Sequence, residues 1–247
     1  MTDVVGPLAN FGVIIPSTNT VVEHDFNEVG PRGATFHSGR IYIDEGALDS
    51  DDAFEALLEQ VRNEIGTAVR NVMTSNPDYM IMGMSAETFW GGLEGNRKFE
   101  QQIKSQTGIG LTTGATATRE ALELFDAERI SFVTPYQPVG DEQVHKFYNE
   151  AGFEVANVLG LKCPSATAIA EVSEQELIGA LREVDDSDVD AIVQVGTNLS
   201  MLRLADEAER WLDKPVISIN AATLWHALRA NDIDEQFKGF GTLLREH

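Results

Sequence analysis

A short run of reactive side chains follows a predicted strand in the first third of the chain. In the stretch MIMGMSAETFWGGLEGN, residues 80–96, an apolar run ends at Ser85, and Glu87 comes two residues later. A serine hydroxyl acts as a nucleophile only beside a base, whereas a partly buried carboxyl group can exchange protons near neutral pH. The junction therefore suggests either general acid–base chemistry at Glu87 or a loop carboxylate that water solvates.

Tyr136 is a second candidate for proton or hydrogen-bond chemistry. It follows the apolar run 130–134, and its phenol can donate a hydrogen bond to a carboxylate or a proton to a carbanion. With an ordinary pKa of about 10, a phenol is a weak acid unless its surroundings favour the anion. The alternative interpretation is an aromatic side chain that is half-buried at a strand end.

The chain offers little for metal or disulfide chemistry. Its five histidines lack the spacing of a metal site, and Cys163 is its single cysteine. One cysteine can form no internal disulfide and supplies no set of zinc ligands. We therefore expect no metal site, and we interpret Cys163 as a small packed side chain.

Short β-branched runs alternate with longer amphipathic stretches along the whole chain. This alternation predicts parallel sheets that helices cover on both faces. Strands are predicted at 11–15, 35–43, 79–83, 109–112, 130–134, 155–161, 191–195 and 216–219. Helices are predicted at 53–74, 94–105, 115–125, 174–184, 201–212 and 221–230, and two further helices, which contain His24 and His145, are predicted after Pro16 and Pro135.

The order of these segments repeats along the chain. Asp78 and Asp190 each precede an apolar strand, and Pro16 and Pro135 each end one. The repeat predicts an α/β fold of two pseudo-symmetric Rossmann-like (flavodoxin-like) halves, with parallel sheets and a cleft between the halves. The expected bounds are 1–115 for the first half, completed by a C-terminal helix at about 221–247, and 116–220 for the second half.

The residues that follow the strands are candidates for a ligand site. Ligands of open parallel sheets bind beyond the carboxyl ends of the strands, so these residues should line the cleft. The segments expected to converge there are 16–19, 85–88, 112–116, 135–136, 196–198 and 218–220.

Four segments carry a resemblance to a known family, namely GVIIPSTNT at 12–20, FHSGR at 36–40, VTPY at 133–136 and GTNL at 196–199. With them, nearly the whole chain resembles the aspartate/glutamate racemase superfamily, and within it the maleate isomerase and arylmalonate decarboxylase branch. The resemblance implies an enzyme without metal or organic cofactor that binds a small mono- or dicarboxylate between its halves. It also implies a homodimer or homotetramer.

The resemblance further implies roles for individual residues. Asn19 and Tyr136 match family residues that hold carboxylate oxygens, and small hydroxyl residues and backbone amides assist them. The further positions that this implies for substrate binding are Ser17, Ala86, Gly196, Thr197 and Asn198.

The chain departs from the family at the positions of its reactive cysteines. Isomerases and racemases of the family use one cysteine from each half, whereas the decarboxylase uses only the second. The first position corresponds to Ser85 and the second to Gly196 or Thr197, so two-thiol chemistry is excluded. The candidate catalytic residues are then Ser85, Glu87, Tyr136 and Thr197.

Composition limits the partners of the chain. Forty acidic and 18 basic residues give a formal charge of −22, which repels nucleic acid and anionic membrane surfaces. No apolar run approaches the ~20 residues of a membrane span, and we expect a cytoplasmic location. Two hypotheses remain: a cofactor-independent isomerase or decarboxylase for a small carboxylate, or a carboxylate-binding protein that has lost catalysis.

Overall fold

Two four-stranded parallel sheets form the framework of the chain, which a computed structural model describes over residues 3–247. The first sheet contains β1 (Ala9–Pro16), β2 (Ala34–Ile41), β3 (Tyr79–Met82) and β4 (Gly110–Thr113), in the order β2-β1-β3-β4. The second contains β5 (Arg129–Thr134), β6 (Glu154–Gly160), β7 (Ala191–Gln194) and β8 (Val216–Ser218), in the order β6-β5-β7-β8. The two orders are equivalent, and the predicted fold of two pseudo-symmetric parallel halves is confirmed.

Helices pack against both faces of each sheet. They are α1 (Val21–Val29), α2 (Asp51–Met73), α3 (Ala86–Phe89), α4 (Gly92–Thr107), α5 (Gly114–Leu124), α6 (Pro138–Glu150), α7 (Glu174–Val184), α8 (Leu202–Leu212), α9 (Ile219–Arg229) and α10 (Thr242–Glu246), with a 3₁₀ helix at Ala168–Glu171. The short elements α3, α10 and the 3₁₀ helix are absent from the predicted set, because one turn of helix produces no periodic pattern. In the part of the chain that the structure describes, no helix is long and apolar enough to cross a membrane.

The repeated aspartates have a structural explanation. Asp78 accepts a hydrogen bond from the backbone N–H of Asn10 in β1 at 3.0 Å, and Asp190 accepts one from that of Arg129 in β5 at 2.8 Å. In both pairs the aspartate N–H also donates to the carbonyl of the same partner at 2.8 Å. Each aspartate therefore fixes the start of one central strand against the other, which sets where the strands end at the opposite edge.

An apolar core lies between the two halves. It joins residues of β1 and α1, such as Phe11 and Phe26, to residues of β5 and α6, such as Phe132 and Phe147. Helix α9 follows β8 in sequence, yet it packs against α1, β3 and β4 of the first half, as well as against α5. These contacts support the predicted completion of the first half by the C-terminal segment, and the bounds of the halves stay a prediction.

Candidate active site

The carboxyl ends of four strands meet at one cavity between the halves. Residues that follow β1, β3, β5 and β7 line it, as expected for the segments 16–19, 85–88, 135–136 and 196–198. The segments 112–116 and 218–220 do not line it, so that part of the expectation is wrong. They follow β4 and β8, which lie at the edges of their sheets, whereas the cavity lies over the central strands.

Ser85, Tyr136 and Thr197 form a buried hydrogen-bonded group at the centre of this cavity. The hydroxyl oxygens of Ser85 and Tyr136 lie 2.6 Å apart, and either hydroxyl can be the donor. The backbone N–H of Thr197 donates to Oγ of Ser85 at 3.3 Å. Because Ser85 follows β3 and the other two belong to the second half, this group joins the halves at the site.

Asn19 connects the end of β1 to the same group. Its Nδ2 donates to Oγ1 of Thr197 at 3.2 Å, while its Oδ1 accepts the backbone N–H groups of Val21 and Val22 at 3.0 Å each. The oxygen is therefore used to start α1, and Nδ2 keeps one hydrogen for a ligand. Asn19 is buried in the cavity wall, where the resemblance places a carboxylate-binding asparagine.

Thr197, and not Gly196, presents a side chain equivalent to that of Ser85. Gly196 has a φ of +106°, and a Cβ built there would lie 2.5 Å from Cδ of Pro135. A side chain at position 196 would therefore be both strained and in collision with the proline ring. Gly196 contributes only backbone to the wall, whereas Thr197, as far from Asp190 in sequence as Ser85 is from Asp78, presents a side chain there.

The other predicted binding residues divide into two groups. Ala86 and Asn198 lie in the cavity wall. Ser17 does not, because its Oγ accepts the backbone N–H of Ile43 at 3.0 Å, and the neighbouring Thr18 lines the cavity instead. Sequence reasoning had placed Thr18 within a converging segment without assigning it a role.

Glu87 lies outside the cavity wall. Its Oε1 accepts a hydrogen bond from Nε of Arg62 on α2 at 2.8 Å, and its Oε2 is buried without a hydrogen-bond partner among residues 3–247. Burial raises the pKa of the Glu87 carboxyl group, and the Arg62 guanidinium opposes that shift. The predicted upward shift of the Glu87 pKa is thus present, but the structure does not bring this carboxyl group to the hydroxyls of Ser85 and Tyr136.

One side of the cavity is apolar, and sequence reasoning missed most of it. Side chains of α2, including Phe54, Leu57 and Val61, form this side, and Ile169 and Cys163 also line the cavity. The helical periodicity of α2 was visible in the sequence, but the direction that its apolar face takes depends on the tertiary fold. The cavity measures about 70 Å³, and since one water needs about 10–15 Å³ by this measure, it suits a small organic molecule.

No residue of the cavity wall carries a formal charge at neutral pH. Burial raises the pKa of the Cys163 thiol to about 11, and it raises that of the Tyr136 hydroxyl well above its ordinary value. Both groups are therefore protonated at neutral pH. Against a chain charge of −22, an anion at this site must be held by hydroxyls, amides and backbone N–H groups.

The described residues show no evident metal site. Within residues 3–247, no group of three or more His, Cys, Asp or Glu side chains is arranged to hold a metal ion. The site chemistry that the described residues offer is hydrogen-bond donation and proton donation.

The chain is similar to enzymes along nearly its whole length. It is 27% identical to maleate isomerase of Nocardia farcinica, covering 97% of this chain and 96% of that one. It is 28% identical to maleate isomerase of Pseudomonas putida, covering 96% and 97%.

Solved structures give the same relationship. A Nocardia farcinica maleate cis–trans isomerase variant, with one cysteine replaced by serine and a covalently bound succinylcysteine intermediate, superposes with a TM-score of 0.85 at 25% identity, covering 96% of this chain and 98% of that one. Arylmalonate decarboxylase matches in fold, with a TM-score of 0.80 at 20% identity over 95% and 98%. The sequence profile of the arylmalonate decarboxylase family matches residues 11–244. The predicted resemblance is therefore confirmed, and the chain belongs to the arylmalonate decarboxylase family.

Proposed function

We propose that the chain is a cofactor-independent decarboxylase, a carbon-acid lyase, for a small carboxylate that carries an apolar substituent. The observation that carries this proposal is the make-up of the cavity wall. It offers protonated donors at Ser85, Tyr136, Thr197 and Cys163, and it offers no group that is a base at neutral pH.

The absence of a base from the wall favours decarboxylation over isomerisation. Isomerisation through a cysteine adduct needs a thiolate, and racemisation needs a group that removes a proton from carbon. The positions that the resemblance matches to the two cysteines, Ser85 and either Gly196 or Thr197, carry no thiol, and the single thiol, Cys163, is held in its protonated form. A decarboxylation starts without a base and requires a proton donor only at its end.

The proposed reaction uses a substrate with two carboxylates on one carbon. The bond between that carbon and one carboxylate breaks, carbon dioxide leaves, and the electron pair remains on the carbon as an enediolate with the second carboxylate. Hydroxyls of Ser85 and Tyr136 and nearby backbone N–H groups stabilise the enediolate oxygens. A proton donor then protonates the carbon and regains its proton from water.

Cys163 is the most acidic group of the wall, which makes it our proposed donor for this last step. Its thiol pKa of about 11 keeps the proton in place until the strongly basic carbanion forms. Cys163 lines the same cavity as the hydroxyls of Ser85 and Tyr136 that would bind the carboxylates, and its backbone N–H donates to the carbonyl of Pro135 at 3.0 Å. The sequence interpretation of Cys163 as packing alone did not consider this location.

The two unlike sides of the cavity support the choice of substrate. The hydroxyl side, with Asn19 and Tyr136, suits carboxylate oxygens, and the apolar side, with Phe54 and Leu57, suits an aryl or branched alkyl group. Maleate would leave that apolar side unused. A substituted malonate fits both sides.

The test is to incubate the protein with phenylmalonate and, separately, with maleate, and to follow both by proton NMR. We expect phenylacetate from phenylmalonate and no fumarate from maleate. Robust metal-independent formation of fumarate would contradict the proposal. Calorimetric binding of phenylmalonate without turnover would instead support the second hypothesis, a carboxylate-binding protein without catalysis; the named relatives, all enzymes, give that hypothesis no support.

The same proposal includes a homodimer or homotetramer in the cytoplasm, on the strength of the family resemblance alone. Light scattering during size-exclusion chromatography should give a mass of two or four times 27.1 kDa. A monomeric mass at micromolar concentration would contradict it.

A further inference from the structure

A buried amide outside the cavity holds one peptide of the cavity wall. Asn220, in the first turn of α9, is 2% exposed and does not line the cavity. Its Nδ2 donates to the backbone carbonyl of Thr197 at 3.0 Å and to Oδ2 of Asp25 at 2.8 Å. Both hydrogens of this amide are therefore used on two acceptors that lie more than 20 residues away from it in sequence.

The orientation of this amide follows from its neighbours. A carbonyl and a carboxylate both accept hydrogen bonds, so only the NH₂ group of Asn220 can face them. Asp25 is itself 2% exposed, and its other oxygen lies 3.2 Å from Nδ1 of His24. Asp25 thus fixes the rotamer of Asn220, and Asn220 in turn fixes the carbonyl of Thr197.

The fixed carbonyl determines where the next N–H points. In a trans peptide, C=O and N–H point to opposite sides of the chain. Since the carbonyl of Thr197 faces Asn220, behind the wall, the N–H of Asn198 faces the other way. Thr197 and Asn198 both line the cavity, and the N–H of Asn198 has no hydrogen-bond partner among residues 3–247.

We propose that Asn220, held by Asp25, is a positioning residue that keeps the N–H of Asn198 directed into the cavity as a donor to the substrate carboxylate or its enediolate. The identity of the ligand in this inference rests on the proposed function, whereas the orientation of the peptide rests on the geometry alone. Preorganised N–H donors of this kind stabilise developing negative charge without reorganisation.

Two other peptides, those that precede the wall residues Ala86 and Thr18, also have hydrogen-bonded carbonyls. The carbonyl of Ser85 accepts the backbone N–H and the hydroxyl of Thr88, at 2.9 Å and 2.6 Å. The carbonyl of Ser17 accepts Nη1 of Arg40 at 3.1 Å. The peptide after Thr197 differs from both because its anchor is a buried asparagine bound to a buried carboxylate.

The experiment compares wild type with Asn220→Ala, Asp25→Ala and Asp25→Asn. Crystal structures of wild type and Asn220→Ala should show the peptide between residues 197 and 198 turned or disordered in the variant. Titration of ¹⁵N-labelled wild type with phenylacetate should shift the Asn198 amide signal, and Asn220→Ala should bind phenylacetate about 10- to 100-fold more weakly. For phenylmalonate, kcat should fall more than KM changes, because the donor acts most strongly on the enediolate.

Two variants separate positioning from simple loss of stability. Asp25→Asn keeps an oxygen that can accept from Asn220, so it should recover most of the affinity lost in Asp25→Ala. Asn231→Ala removes a side-chain hydrogen bond to the carbonyl of Ala227 in α9, away from the cavity, and should leave phenylacetate affinity unchanged.

Each outcome bears on one proposal or the other. An unturned peptide in Asn220→Ala would overturn the positioning role, as would an Asn198 amide signal that stays fixed while phenylacetate shifts those of its cavity neighbours. If wild type binds neither phenylacetate nor phenylmalonate, the proposed function fails. The crystal structures then still decide whether Asn220 holds the peptide.

Discussion

The two strand ends that meet in the cavity are built in different ways. After β3, Ser85 begins the short helix α3, and its carbonyl is held by Thr88, three residues away. After β7, Thr197 is held by Asn19 and Asn220, and through the latter by Asp25 of α1. The backbone of the first end is held locally, whereas that of the second is held by distant parts of the chain, so substitutions at the two ends should have different consequences.

The largest expected effect is the loss of turnover when the Ser85 hydroxyl, at the strand end after β3, is removed. Ser85→Ala removes the oxygen that bonds both Tyr136 and Thr197, so phenylmalonate turnover should fall by about 100- to 1000-fold, the usual scale for losing one such donor. Circular dichroism should show an unchanged fold. Ser105→Ala, on the exposed face of α4, is the matched control, and Ser85→Ala activity close to that of this control would remove Ser85 from the mechanism.

Next in size is the effect of replacing Tyr136 or Asn19, the two residues to which the resemblance assigns binding of the substrate carboxylate. Tyr136→Phe should weaken phenylacetate binding about 10- to 100-fold in calorimetry, because a hydrogen bond to a charged group is worth ~1.5 to 3 kcal/mol. Asn19→Ala should weaken binding and also lower the melting temperature, since Asn19 starts α1. Unchanged binding in both variants would place the ligand elsewhere.

A smaller effect concerns stability in the second half. Burial raises the pKa of the Asp141 carboxyl group on α6 to about 6, whereas the unfolded value is about 4. The folded state therefore carries a penalty for the charged form that is present above pH 6 and disappears below pH 4. Asp141→Asn should raise the melting temperature at pH 7.5, and the difference should vanish near pH 4; an equal difference at both pH values would contradict this origin.

The smallest effect on activity is expected at Glu87. Because its carboxyl group bonds Arg62 outside the cavity, Glu87→Gln should keep turnover within about threefold of wild type. A loss of about 100-fold would instead restore Glu87 as a proton-transfer group. Assays of phenylmalonate turnover by wild type, Glu87→Gln and Arg62→Gln distinguish the two outcomes.

The same contrast explains what the sequence could predict. Period-two and period-3.6 patterns and the repeated Asp78 and Asp190 were sufficient for the fold, since those signals are local or duplicated. The positions of Asn19 and Tyr136 in the cavity followed from the rule that ligands bind at strand ends, together with the resemblance. Their roles in binding stay predictions.

Interactions that depend on distant residues gave no sequence signal. Asn220 and Asp25 meet across 195 positions, and neither has a neighbour in sequence that suggests a pair. Glu87 shows the opposite problem, because a suitable residue at a suitable strand end was turned away from the cavity by a partner on α2. Cys163 was set aside for lacking a match to either cysteine position, although its loop returns to the cavity.

The placement of α9 has a consequence for biosynthesis. This helix is translated after all eight strands, yet it packs against α1 and β3, which leave the ribosome much earlier, and its Asn220 bonds the carbonyl of Thr197. Since chains emerge at about 5–20 residues per second, the surface of the first half that α9 later covers stays exposed for several seconds. A nascent chain can form both sheets during that time, but its binding site is complete only after α9 has emerged.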